Sequence, residues 1–444
     1  MQGCELLNKY PVNFKVYSVE RKKIITHHYY KLIFISALIS VLSCLLAFSL
    51  KHVTEHFQHE IFNATNGISK ALFVLLPTIG ITSIYFLRKY LFLNRKNKGI
   101  TEIYKTLDLR KEHLPFFKIP SHCLNGFLTV IFGGSTGVEV STVVASATVG
   151  NMGYKREFSA KMYKRELICA GVTAGVAVLF ASPLAGWLFA MEVIARKVRR
   201  PLVISCTVSA VIAGLFVFLF DNTPLLHFSI KGWHWYAIPF FILLGLLSGT
   251  LSAYFTFIVT RIKNIFAQIH NNFIRVNTGA LVVGIMILFF PTLYGDSYHG
   301  LGKILEAVIS EGRFSLLVLA ALIVLKPLAA SLTLGAGGDG GVFAPSIVAG
   351  AFLGLFIALF CNTYLDTHLV PLNFALVGAA ATLSAAIFAP FTALVLSCNL
   401  VPNGYDLFIP ILIGCFTAKL FSQLLLPYNV YTYDFYKTPA TKQS

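Results

Sequence analysis

Long apolar blocks separated by short polar stretches form the hydropathy pattern of this chain. A helix that crosses the hydrocarbon core of a bilayer needs about 20 mostly apolar residues, and most of the blocks reach that length. The blocks lie at 31–50, 71–93, 124–153, 167–194, 201–220, 234–260, 278–294, 315–334, 341–361, 371–400 and 406–427. The pattern therefore predicts an all-α polytopic membrane protein.

Two of the blocks do not fit a single straight crossing. The stretches 124–153 and 371–400 are longer than one span requires, and Gly and Pro residues interrupt both. Proline removes a backbone donor from a helix interior, and glycine lowers helix stability there. Tilted or broken helices are therefore expected in place of a regular serpentine.

Composition and charge agree with a membrane protein. Of the 444 residues, 56% are apolar and 12% are charged, and that charged share is about half the share usual for a soluble domain. The formal net charge of +17 would indicate nucleic-acid binding in a soluble protein. Here the basic residues lie in short loops between apolar blocks, so the expected partner is the lipid bilayer and not a nucleic acid.

The basic loops also predict an orientation. The clusters 196–200 and 261–263 share one face if the two blocks between them each cross once, whereas 221–233 carries little positive charge. The positive-inside rule makes the clustered face cytoplasmic, in the cell membrane, with both termini on that side. The expected layout is a cytoplasmic N-terminal segment 1–30, a first transmembrane half 31–220, a second half 221–436 and a cytoplasmic tail 437–444.

An internal repeat divides the chain. Residues 133–150 read GGSTGVEVSTVVASATVG and residues 337–354 read GGDGGVFAPSIVAGAFLG, identical at eight of 18 positions without gaps. A second similarity follows in the same order, FASPLAG at 180–186 against FAPFTAL at 388–394. Duplicated halves with Gly- and Pro-interrupted apolar segments at matching positions are typical of transport proteins, with the site between the halves.

Each repeat places a glycine-rich turn directly before a helix-like apolar stretch. A helix that begins inside a membrane presents unpaired N–H groups and the positive end of its dipole. Two such ends, one from each half, can hold an anion without a full positive charge in the hydrocarbon. The alternative is that the glycines only allow close helix packing.

Glu139 lies inside the first of these segments. A carboxylate in a membrane span costs a few kcal/mol on insertion scales, so such residues are functional by default. At a helix N-terminus, Glu139 would compete with a permeating anion for the same N–H groups and would release them when protonated. It is therefore expected to be a proton-sensitive gate or a proton carrier, the alternative being an inert, backbone-bonded carboxyl.

These residues resemble the motifs of the CLC family of chloride channels and chloride/proton antiporters. The segment 133–141 is similar to the family's GxSxGxEGP motif, with Glu139 at its gating glutamate, and GGVFAP at 340–345 matches its GGxFxP motif. Further similarities lie in family order at NKGITE 97–102, FASPLAG 180–186 through Glu192, Leu325-Lys326, Thr333-Leu334-Gly335 and Val430-Tyr431-Thr432. The resemblance thus covers the chain from about 97 to 432.

The resemblance implies the CLC fold, in which two inverted halves form one pore per subunit of a homodimer. Chloride would be the bound ligand, with protons as a second substrate where transport is coupled. No cofactor or metal is expected, and no enzymatic activity. The backbone N–H groups of Gly99 and Ile100 would bind the anion from one loop and those of Val342 and Phe343 from the other. The Tyr431 hydroxyl would bond it from the inner side, and Glu139 would occupy or vacate the outer position. The supporting motif residues are Gly137, Val138, Val140, Ser141, Gly340, Gly341, Glu192 and Val193.

Three positions depart from the family pattern. Lys98 replaces a serine of the anion loop, and its ammonium either attracts anions or extends into the inner vestibule beside Arg95 and Lys96. Val140 and Ser141 replace a Gly-Pro pair after Glu139, which removes a proline that would preset the helix start.

The third departure concerns coupling. Glu192 is retained, but Val193 stands where antiporters often carry an internal proton glutamate. A valine side chain cannot relay a proton, so a passive channel or weakly coupled transport is favoured over tight exchange. Water or Lys98 offers another proton path, and a chloride/proton antiporter therefore stays open.

Other classes of protein are weaker alternatives. A fluoride/proton antiporter of the same fold finds no support in Val138, the residue before Glu139. A cation-coupled transporter needs intramembrane cation ligands, and Asp339 is the candidate. A membrane hydrolase built on the turn 134–137 would need a general base within reach of Ser135.

Overall fold

The computed structural model describes residues 14–93, 95, 97–109, 113–157, 163–221, 225–230 and 232–437, and within those ranges the chain is helical and contains no strand. The α-helices are α1 (Phe14–Ile68), α2 (Leu76–Tyr90), α3 (Ile100–Asp108), α4 (Lys118–Ile131), α5 (Glu139–Glu157), α6 (Lys164–Leu179), α7 (Pro183–Phe189), α8 (Arg200–Phe220), α9 (Ile238–Gln268), α10 (Asn272–Phe289), α11 (Tyr298–Glu311), α12 (Leu316–Ala336), α13 (Phe343–Tyr364), α14 (Pro371–Ile387), α15 (Pro390–Cys398), α16 (Phe408–Leu425) and α17 (Tyr433–Lys437).

Eight helical segments of the described chain are long and apolar enough to cross a bilayer. These segments are His28–Ile68, Lys70–Tyr90, Arg200–Phe220, Trp235–Gln268, Asn272–Phe289, Leu316–Ala336, Phe343–Tyr364 and Gly404–Leu425. Many of their large apolar side chains are exposed on the protein surface, as expected where lipid replaces water. The prediction of an all-α polytopic membrane protein is confirmed.

The two long apolar blocks are interrupted at the glycine and proline residues that predicted broken helices. The block 124–153 splits into α4 and α5, with the glycine turn 132–138 between them. The block 371–400 splits into α14 and α15, and α15 begins at Pro390. Proline is well suited to the first helical position because it has no N–H to leave unpaired.

The two halves have the same order of elements and the same packing. Helices α1 to α8 correspond in order to α9 to α16: α5 packs on α6 as α13 packs on α14, and α4 contacts α5 as α12 contacts α13. The two short helices that begin at a proline, α7 at Pro183 and α15 at Pro390, contact each other across the halves. The expected boundary between the halves, 220/221, lies at the end of α8.

Backbone conformation repeats at the breaks as well. Gly133 and Gly337, which open the two glycine turns, both have positive φ, 83° and 112°. Ala181 and Phe388, each two residues before the proline that starts a short helix, also have positive φ, 47° and 57°. A non-glycine residue seldom adopts this region. Its recurrence at matching positions therefore supports the internal duplication.

The described residues cover only part of the two predicted terminal segments, 1–30 and 437–444. The first apolar block, 31–50, belongs to a 55-residue helix that begins at Phe14, so part of the predicted segment 1–30 is already helical. Residues 1–13 and 438–444 lie outside the described residues.

Candidate functional site

Three helices begin close to one buried side chain, that of Val140. Helix α3 begins at Ile100 after Gly99, helix α5 begins at Glu139, and helix α13 begins at Phe343 after Val342. Neither Gly99 nor Val342 contributes a side-chain capping bond. The first N–H groups of α3 and α13 therefore have no side-chain cap and are free to bind a small anion.

Val140 brings these helix starts together. Its Cγ1 lies 3.3 Å from the position that a Cβ on Gly99 would occupy, and its side chain would overlap a Cβ on Gly341. The two glycine turns therefore contact opposite sides of one isopropyl group. Val140 stands where the family motif has a glycine, and its side chain fills the space between the two turns.

A buried carboxylate joins the two turns directly. The Asn97 side-chain amide donates to Asp339 Oδ2 at 2.6 Å, and His122 Nδ1 lies 3.1 Å from the same oxygen. The Thr129 hydroxyl oxygen accepts from the Asp339 backbone N–H at 2.9 Å. Asp339 is therefore held between the loop before α3, helix α4 and the turn before α13. These contacts account for Asp339, which sequence reasoning considered as a cation ligand.

Polar side chains of α4 extend this network on the Lys98 side. Lys118 Nζ donates to Glu102 Oε1 at 2.9 Å and to Asn97 Oδ1 at 3.3 Å. The backbone N–H of Lys98 donates to Glu102, while the Lys98 side chain is exposed. The loop 97–100 is thus fixed by its backbone and neighbours, and the Lys98 ammonium is left in an open region.

Tyr431 approaches from the C-terminal end of the chain. Its hydroxyl lies 3.5 Å from the position of a Cβ on Gly341, and its ring lies 6.4 Å from that of Phe343. The side chain is 6% exposed, and its hydroxyl lies near the Val342 backbone N–H but forms no hydrogen bond of ordinary geometry within the described residues. A buried hydroxyl without a partner is costly unless a ligand or water completes it. Tyr431 therefore lies where an anion bound to the α13 N–H groups would need a donor.

Glu139 directly precedes Val140 and is the first residue of α5. Its carboxylate folds back over Gly137, where any side chain would collide with it, and it is 4% exposed. The Tyr298 hydroxyl donates to Glu139 Oε1 at 3.1 Å, and Oε2 has no partner among the described residues. The carboxylate therefore has one fixed oxygen and one that is free to bind a proton.

Lys326 braces the turn that carries Glu139. Its fully buried ammonium donates to Ser135 Oγ at 2.8 Å, Ser297 Oγ at 2.7 Å and the Gly295 carbonyl at 3.0 Å. These bonds connect the glycine turn 133–138 to the segment 295–297, which leads into Tyr298. The sequence shows a lysine within the apolar helix α12, but it does not show which residues that lysine contacts.

The remaining predicted residues have mainly structural contacts. Glu192 Oε2 accepts from the backbone N–H of Thr392 at 2.9 Å and from its hydroxyl at 2.8 Å, so Glu192 caps α15. Val193 is 4% exposed, and its carbonyl accepts from the Tyr104 hydroxyl at 3.1 Å. Ser141 packs against Gly126 of α4.

Two further motif residues support the turns. Gly340 has a φ of 153°, and a Cβ there would overlap the Thr136 hydroxyl. Val138 is half-buried, and its carbonyl accepts from the Thr142 backbone N–H at 2.9 Å. Gly340 thus allows the second turn to contact the first, and Val138 helps to start α5.

Comparison with known proteins identifies relatives over nearly the whole chain. The family model described as "Voltage gated chloride channel" matches residues 79–423. The H(+)/Cl(-) exchange transporter ClcA of Salmonella typhi is 26% identical over 412 residues, covering 89% of this chain and 86% of the relative. ClcA of Vibrio cholerae serotype O1 is 26% identical over 366 residues, covering 80% of this chain and 77% of the relative.

Solved structures share the fold. A slow cyanobacterial Cl-/H+ antiporter aligns with a TM-score of 0.77 at 20% identity, covering 93% of this chain and 98% of that structure. A CLC-type fluoride/proton antiporter aligns with a TM-score of 0.74 at 21% identity, covering 90% and 96%. At this identity the likeness concerns the architecture.

Asn97→Ala should weaken both the fold and the site. A hydrogen bond to a charged group contributes about 1.5–3 kcal/mol, so the free energy of unfolding should fall by about that amount. Anion affinity should fall roughly tenfold because the loop 97–100 loses its tie to the second turn. Unfolding of the detergent-solubilised protein and calorimetric titration with chloride measure the two effects.

Asn63→Ala is the matched control, because Asn63 is exposed and donates to an exposed histidine, His59. Equal stability and affinity in the two variants would contradict the proposed link between the turns.

Proposed function

The chain belongs to the voltage gated chloride channel family, and on that premise we propose that it conducts chloride across the membrane, gated by Glu139, as a passive channel or a weakly coupled transporter. One observation carries this proposal. The helix N-termini that follow Gly99 and Val342 begin beside the same buried side chain, Val140, with the unpartnered Tyr431 hydroxyl next to them.

The anion is held by dipoles instead of a paired cation. The N–H groups of Gly99, Ile100, Val342 and Phe343 supply donors from two helix starts, and the Tyr431 hydroxyl supplies another. Helix N-termini bind anions because their N–H groups are unpaired and the macrodipole is positive there. This arrangement replaces part of the ion's hydration shell without the tight binding that a buried lysine would impose, so the ion can also leave.

Glu139 gates the path by competing with the anion. At the start of α5 its carboxylate occupies the position that a second anion would take, and like charges exclude each other there. Protonation removes the charge and frees the side chain to swing away. The hydrogen bond from Tyr298 holds the closed position, in which the carboxylate covers Gly137.

Lys98 concentrates anions at the mouth of the path. Its side chain is exposed, and an exposed ammonium acts through its field more than through a direct contact. The lysine thus raises the local chloride concentration on the side where Tyr431 ends the path.

The residue at position 193 favours weak coupling. Val193 is buried and apolar, and the neighbouring Glu192 is engaged as the cap of α15. Val193 has no ionisable group, and the Glu192 carboxylate is held by its two hydrogen bonds from Thr392. A chloride/proton antiporter is the second candidate, because the relatives ClcA and the cyanobacterial protein carry that activity in their names.

The assembly and orientation follow the same premise. We propose a homodimer in the cell membrane with one path per subunit and with the basic loops, Lys98 and both termini on the cytoplasmic side. The segment 225–230 then faces the outside.

Glu139→Gln should abolish the pH dependence of chloride flux and raise flux at neutral pH severalfold, because the amide mimics the protonated carboxyl. Chloride efflux from proteoliposomes across a pH series measures this. The control is Glu311→Gln, an exposed carboxyl at the end of α11. A variant that keeps the wild-type pH response would exclude Glu139 as the gate.

Reversal potentials under a proton gradient should separate the two candidate modes. With passive or weakly coupled transport, the reversal potential stays near the chloride equilibrium potential when the proton gradient is changed. A clear shift with the proton gradient would contradict weak coupling and assign the chain to the antiporters. Absence of chloride flux under all conditions would overturn the proposed function itself.

A further inference from the structure

A large vestibule is lined by residues of α1, of the segment 225–230 and of α11. It has a volume of about 1080 Å³ and is lined by ionisable side chains that include Glu55, Asp296, His299 and Glu306. No motif of the sequence drew attention to these residues. Their number at one opening suggests a role in handling protons or ions.

A second, much smaller cavity adjoins this vestibule and is lined by Glu139. Its volume is about 30 Å³, which is enough for about one water molecule. Glu55, Leu225, Asp296 and Tyr298 line both spaces, and Glu139 lines only the smaller one. The small cavity is thus a water-sized step between the vestibule carboxylates and the gate.

Glu139 is oriented to use that step. Oε1 accepts the Tyr298 hydroxyl, whereas the buried Oε2 has no partner among the described residues. An unpaired carboxylate oxygen at 4% exposure requires a water or a proton to complete it. Because Glu139 borders the small cavity, that cavity can supply either.

Asp296 is held in place at the same cavity. Its Oδ1 accepts from the Gln58 side-chain amide and from the Tyr298 backbone N–H, each at 3.1 Å. Asp296 is half-buried, so its carboxylate is accessible from the vestibule while its position is fixed. One short segment, 296–298, thus provides both the vestibule carboxylate and the hydroxyl that holds Glu139.

Other charged groups line the two spaces, among them Lys70 and Lys303 in the vestibule and Lys51 in the small cavity. Lys51 of α1 donates to Asp221 at 2.7 Å, and His52 Nδ1 lies 3.8 Å from Glu55. Lys326 reaches the segment from α12 through Ser135, Gly295 and Ser297, as described above. On the vestibule side His299 packs against His59 with ring centroids 5.4 Å apart.

We propose that Asp296 passes protons between the vestibule and Glu139 through water in the small cavity, and that Tyr298 positions Glu139 to receive them. Glu55 is the exposed carboxylate that collects protons at the entrance. Asp296 and Glu139 line the same water-sized space, and their negative charges attract protons to it, so the carboxylate of the closed gate can exchange protons with the vestibule. The inference rests on the proposed function, in which protonation of Glu139 opens the anion path.

The step is a proton transfer without change in oxidation state. A hydronium ion in the vestibule protonates the Glu55 carboxylate and leaves water. Glu55 then passes a proton through vestibule water to the Asp296 carboxylate and returns to its own carboxylate. The Asp296 carboxylic acid then donates its proton to the cavity water, which releases another proton to Glu139 Oε2. Asp296 returns to its carboxylate, and Glu139 becomes a neutral acid that still accepts the Tyr298 hydroxyl or swings free.

The test follows chloride flux after a rapid drop in pH on the vestibule side of reconstituted protein. In Asp296→Asn the amide keeps the acceptor for Gln58 and Tyr298 but cannot carry a proton. The flux should therefore rise at least about tenfold more slowly, while its final level at low pH equals that of the wild type. Asp296→Glu should restore most of the rate.

Glu306→Gln is the matched control, because Glu306 lines the vestibule but not the small cavity. It removes the same charge and should respond at the wild-type rate. Equal rates for Asp296→Asn and Glu306→Gln would overturn the relay, as would a shift of the titration midpoint without slower kinetics. That second result would assign Asp296 a purely electrostatic role.

A second variant, Glu55→Gln, tests the relay if Asp296→Asn does not fold. Glu55 is exposed on α1, and Glu55→Gln should slow the response severalfold if the entrance carboxylate matters. A wild-type rate in this variant would exclude Glu55 as the proton collector. Failure of the proposed function gives a different result: the wild type lacks chloride flux, or Glu139→Gln keeps its pH response, whatever Asp296 does.

Discussion

Backbone N–H groups at the start of a helix need partners, and inside a membrane water does not supply them freely. In this chain the starts of α3, α5 and α13 meet around Val140, and the bond between Asn97 and Asp339 holds two of the preceding turns against each other. The positive ends of the helices therefore lie close together around Val140. Broken helices, glycine turns and the buried carboxylate all follow from this arrangement, since each either creates a free helix start or fixes its position.

Local chemistry explains why much of the fold could be predicted. The breaks at 132–138 and before Pro390 follow from glycine and proline, whose backbone effects act within a few residues. The full length of α1 was not predictable in this way. Polar residues such as Lys51, His52 and Glu55 interrupt the apolar pattern, yet the helix continues to Ile68. Short helices such as α3 and α11 also leave no apolar block long enough to be detected.

The site divides along similar lines. Sequence motifs placed Glu139, the turn 340–343 and Tyr431 in one hypothesis, and the structure brings these residues together. The side chains that position them were not predictable, because their contacts join distant parts of the chain. Lys326 meets Ser135 across 191 residues and Tyr298 meets Glu139 across 159. Asp339 was noticed as a charge in an apolar segment, but its contacts with Asn97 and His122 depend on folding.

Anomalous diffraction from crystals soaked in bromide would test the central claim most directly, because bromide replaces chloride and its position can be seen. The account predicts a bromide peak within hydrogen-bonding distance of the N–H groups of Val342 and Phe343 and of the Tyr431 hydroxyl, facing the turn at Gly99. Bromide bound only elsewhere, with those donors satisfied by the protein itself, would contradict it.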